Sequence, residues 1–88
     1  MSVLEDATEA VRARGGQYGH PSINFERIAR LWNAFLSERL DRPITPAEVG
    51  ILCALIKVAR LQEDIGHYDS WVDAAGYFDA GWRSSDDV

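Results

Sequence analysis

The chain has 88 residues, 47% of them apolar, and a formal net charge of −5. That is one domain's length, apolar enough to fold, and too acidic for the electrostatic footprint of a nucleic-acid binder or a polybasic membrane patch. A core this small is marginal alone, so a further apolar face buried in a homo-oligomer is expected.

The charge is uneven. Residues 1–44 balance six acids against six arginines, whereas residues 45–88 set eight acids against Lys57, Arg60 and Arg83. Cys53 is the only cysteine and lies in the apolar run "VGILCALI". It reads as a buried hydrophobe rather than half of a disulfide. That run is far too short to cross a membrane. Residues 1–14 read as an acidic amphipathic helix, not a signal peptide, so a cytoplasmic location is expected.

The first predicted helix opens with Ser2-Val3-Leu4-Glu5, a capping-box pattern, and is expected to stop at Gly15-Gly16. "GGQYGHPS" (15–22) then reads as a loop, with three glycines and a proline in eight residues. Ser22 is the expected N-cap of a second helix, about 22–40. Phe25, Ile28, Ala29, Trp32, Phe35 and Leu36 recur there at helical spacing, the mark of one buried face. Trp71 and Trp82 are candidates for a subunit interface.

After "DRPI", Thr45-Pro46-Ala47-Glu48 is the clearest boundary in the chain: Thr at N-cap, Pro at the first helical position, Glu at the third. A third helix should run from 46 to about 63. It is apolar nearly all round, so it is expected to be the central, buried helix. "EDIGH" makes a turn, and a fourth helix should run from Asp69 or Ser70 to about Ala80, with 83–88 a tail. No strand pattern or repeat competes. The fold class is therefore all-α, a small antiparallel bundle of about four helices in a single domain.

Three groups of residues can carry chemistry. In "GHYDSWVDAAGYF" (66–78), Asp69, Asp73 and Tyr77 fall one turn apart on one helix face, with His67 just ahead. Asp69 can simply cap the helix while Asp73 answers Ser70. The acids can equally hold Mg²⁺ through oxygen ligands, or hydrogen-bond a ligand directly. Lys57 and Arg60 lie three apart near the end of the third helix. They can offset its dipole, pair with Asp69 and Asp73 across the turn, or clamp a phosphate. In "QYGHP", Tyr18 or His20 can stack on a base or pack as part of a turn.

The blocks "YGHPSINFERIARLW", "ITPAEVGILCALIKVARL" and "HYDSWVDAAGYF" together resemble a family of small uncharacterised proteins of actinobacterial phages and prophages. The last two blocks also resemble a broader phage group associated with nucleotide modification. More distantly, the helices with paired acids are similar to the all-α, MazG-like nucleoside-triphosphate pyrophosphohydrolases. That likeness implies an oligomer that binds Mg²⁺ through acid pairs on successive helices and releases pyrophosphate. Glu48 stands where one acid of the first pair would be, but Ile51 and Leu52 occupy its partner's place. The second pair falls at Asp69 and Asp73, spaced by four rather than three.

The resemblance and the residues together give three expectations. The first is a minimal Mg²⁺-dependent nucleotide pyrophosphohydrolase, with Asp69 and Asp73, helped by Glu48 or His67, on the metal or on ligand hydroxyls, Lys57 and Arg60 on phosphate, and Tyr18, His20 or Tyr77 on base or sugar. The second is a non-catalytic protein that sequesters a nucleotide, including a signalling nucleotide. The third is a protein-interaction module with no small-molecule ligand.

Overall fold

The computed structural model describes residues 2–18 and 20–85, without the side chains of 14–18. Within them the protein is all-α: α1 (Val3–Tyr18), α2 (Pro21–Phe35), α3 (Pro46–Glu63) and α4 (Tyr68–Arg83).

Local signals explain most boundaries. Glu5 N–H donates to Ser2 Oγ at 3.0 Å and starts α1. The helix then continues through Gly15 and Gly16 to Tyr18, beyond its expected end. Glycine lowers helix propensity by about 1 kcal/mol but does not forbid the helix. The N-cap of α2 is His20, not Ser22: its Nδ1 accepts from Ser22 N–H at 3.1 Å, and Pro21 follows as the first helical residue. Helix α2 ends at Phe35 and a turn occupies 36–39. The capping box at Thr45 and Glu48 is complete, and α3 has the expected bounds.

The α4 start differs by one residue from the expectation. His67 is the N-cap, and it makes no side-chain cap bond. Its Nδ1 lies 2.7 Å from Oγ of the buried Ser70. At the far end α4 runs on to Arg83, where Ser84 is buried and its hydroxyl donates to Ala80 O at 2.8 Å. The expected tail therefore begins inside the fold; its residues 86–88 lie outside the described residues.

Helices α3 and α4 form the largest interface. They cross so closely at Gly50 and Gly81 that a Cβ built on Gly50 would lie 2.6 Å from Gly81 Cα. Val49 and Ala80 join Phe25 and Ala29 of α2 in the core, with Ile28, Trp32, Ile44, Cys53 and Tyr77 packed around them. Asn33 pins the long connector by a two-way bond to the backbone of Ile44, at 3.1 Å and 2.7 Å.

Three packing expectations change. The bundle is not wholly antiparallel. Tyr68, at the start of α4, donates to Asp6 near the start of α1, and Val11 lies against Gly76, so α1 and α4 run parallel. Phe35, expected in the core, is 88% exposed. Helix α3 is buried on one side only: Val49, Gly50, Ala54 and Leu61 face inward, while Ile51, Leu52, Leu55, Ile56 and Val58 face out.

Candidate functional site

Lys57 and Asp73 meet across the α3/α4 interface. Nζ of Lys57 lies 3.2 Å from Oδ2 of Asp73, and both side chains are half-buried. This places the acid-base pair expected across the turn, although Asp73 answers Lys57 rather than Ser70. The pair, with Tyr77 and Gly76, lines a hollow closed by Ala10 and Val11 of α1. The hollow holds about 120 Å³. Ligand pockets for nucleotide-sized molecules start at roughly 300 Å³. As it stands, this site fits an ion or a few waters.

The other expected residues disperse. Asp69 and Arg60 are exposed and do not line the hollow. His67 is committed to Ser70. Glu48 lies nine residues before Lys57 on α3, about 13 Å along the helix axis. Its carboxylate accepts from Thr45 N–H at 3.0 Å and from both terminal nitrogens of Arg42 at 3.2 and 3.0 Å. The Thr45 backbone donor and the Arg42 guanidinium hold its pKa below the usual carboxylate range. Glu48 is thus a capping residue. Among the described residues, no three His, Cys, Asp or Glu side chains converge as a metal ion would need. The trio expected to hold Mg²⁺ does not fit one ion. The Tyr18 side chain lies outside the described residues.

A larger cleft opens along the same α1/α4 seam. It holds about 650 Å³ and is lined by Thr8, Val11, Arg12, His20, Pro21, Asp79 and Arg83. Val11 borders both cavities. The size is within the ligand-pocket range. Parallel packing of α1 on α4 brings Arg12 and Arg83 to one space, and the N-cap position of α2 delivers His20.

The charged lining is two arginines and one aspartate. Arg83 lies 3.8 Å from Asp79, and Arg12 lies 3.6 Å from Glu9, both as exposed pairs along one helix. Pairs of that kind are worth little, so either guanidinium can turn to a ligand. His20 Nδ1 accepts from the Ser22 amide, which puts the proton of a neutral ring on Nε2. The positive end of the α2 dipole begins at the same place. Of the candidate site residues whose side chains are described, His20 belongs to this cleft. Arg12, Arg83, Thr8 and Asp79 are scattered over 75 positions, and no local pattern links them.

Similarity to known proteins agrees with the phage character of the sequence. The family described as "Domain of unknown function (DUF6378)" matches residues 2–84. A "Gene 55 protein" of Mycobacterium phage L5 is 40% identical over 78 residues, covering 88% of this chain and 48% of the relative. A "Gene 55 protein" of Mycobacterium phage D29 is 38% identical over 77 residues, covering 86% and 48%. The chain therefore spans about half the length of these relatives. No solved structure matches.

Proposed function

We infer that this chain, which belongs to the DUF6378 family, is a non-catalytic binder of a phosphate-bearing small molecule of the nucleotide class. The observation that carries this reading is the 650 Å³ cleft with Arg12, Arg83 and His20 on its wall. Two guanidiniums and a ring N–H supply charge-assisted donors for phosphate oxygens. The apolar side of Val11 and Pro21 offers a surface for a base or sugar. Binding, rather than pyrophosphate release, is favoured by the separation of the acids. Phosphoanhydride hydrolysis through a metal-activated water needs carboxylates gathered on the metal. Here Glu48 caps α3, Asp73 pairs with Lys57, and Asp69 stands apart.

The test is calorimetry with nucleoside mono-, di- and triphosphates and cyclic dinucleotides, with and without Mg²⁺. At least one should bind. Arg83→Gln and Arg12→Gln should each weaken it by roughly tenfold or more, the usual worth of a charge-assisted hydrogen bond. Asp73→Asn, outside the cleft, should change affinity less than twofold. No binding across the panel removes the reading. Binding lost in Asp73→Asn but kept in both arginine variants moves the ligand to the smaller hollow.

A further inference from the structure

Among the described residues, the outward side of α3 has no partner. Ile51, Leu55 and Ile56 are 49%, 52% and 63% exposed, and Leu52 and Val58 are also exposed. At 100° per residue these five and Ala59 fall within an arc of roughly 160°, with Gly50, Ala54 and Leu61 across the helix from it. The stripe runs for more than two turns without a charged residue. The one ionisable side chain from 49 to 59 other than Cys53 is Lys57, which turns inward to Asp73.

We propose that this stripe is the contact between two copies of the chain, packed α3 against α3 about a two-fold axis near Leu55. Area, composition and charge each favour a second copy as the occupant. The six residues expose on the order of 450 Å², within the range of the largest apolar patch on a typical monomer, which is often functional. Doubled in a symmetric contact, they approach the roughly 1,000 Å² that marks a specific interface, and the flanks of α3 add to it. A charge-depleted centre is the composition of interface cores. A two-fold contact must also pair a surface with itself. Two chains of net charge −5 repel each other over most of their surface. A neutral apolar stripe meets its own copy without like-charge repulsion. Burial of this stripe also reconciles an α3 apolar nearly all round with its one-sided packing here.

Sedimentation equilibrium on the full chain decides the matter. The wild type should sediment at twice 9.8 kDa at 50–100 μM and dissociate on dilution. Leu55→Glu should sediment as a monomer with wild-type helicity by circular dichroism, because the site is half exposed. Should that variant unfold, Ile51→Lys, at one end of the stripe, gives the same readout. A wild-type monomer at every concentration overturns the proposal. So does a dimer that persists in the folded variants, which would place the contact elsewhere.

Discussion

Gly50 of α3 and Gly81 of α4 touch backbone to backbone. A Cβ at Gly50 would approach Gly81 Cα at 2.6 Å and Tyr77 O at 2.8 Å, contacts that side chains do not make. A Cβ at Gly81 would meet Ala47 O at 3.1 Å and Gly50 Cα at 3.3 Å, tight but closer to accommodation. The close crossing sets how α3 and α4 pack, and Lys57 and Asp73 meet two turns further along the same interface.

The asymmetry makes a prediction. Gly50→Ala must spread two backbones and should destabilise by about 2–3 kcal/mol, as overpacking does. Gly81→Ala should cost about 1 kcal/mol, less any gain in helix propensity. In thermal melts the first should lower Tm by roughly 10 °C or more and the second by about 2 °C or less, because the propensity gain offsets most of its cost. Equal effects would mean that the two helices are not held at this spacing.

Lys57 and Asp73 make a half-buried ion pair, so screening by water limits its worth. A double-mutant cycle with Lys57→Met and Asp73→Asn should give a coupling of about 0.5–1 kcal/mol that shrinks between 50 mM and 1 M salt. A coupling indistinguishable from zero at low salt would leave the hollow beside Tyr77 without its charged wall.

Tyr68 links the starts of α1 and α4 by donating to Asp6. That bond, more than burial or neighbouring acids, pushes its pKa up to about 12 from 10.0. Deprotonation removes the donor. The stabilisation is therefore complete below pH 10 and is lost as pH rises through about 12. Urea melts across pH 8–12.5 should show wild type more stable than Tyr68→Phe at the low end, with the difference vanishing at the high end. A gap independent of pH would show that the hydroxyl's bond contributes nothing to it.

How much was legible in the sequence depended on the range of the signal. The α3 start was fully readable, because Thr45, Pro46 and Glu48 act within one turn. The α4 start was off by one residue, because Asp69 and Ser70 resemble caps while His67 takes the position by its backbone angles. Phe35 fits the helical period of α2 but is its last residue and is exposed. Glu48 carried two meanings, cap and metal ligand, and its bonds to Thr45 and Arg42 belong to the first. Asn33 gave no signal at all, since its partner Ile44 is eleven residues away.

By itself the sequence determined an all-α chain of four helices, because hydrophobic period, proline and capping groups act over a few residues and declare themselves locally. Only the tertiary structure decided which helices lie side by side. Parallel packing of α1 on α4 gathers Arg12, His20 and Arg83 around one cleft, while the α3/α4 crossing sets Lys57 on Asp73 and leaves an apolar stripe of α3 facing outward. Such neighbours arise from burial summed over the whole chain, and no short window of residues contains that sum.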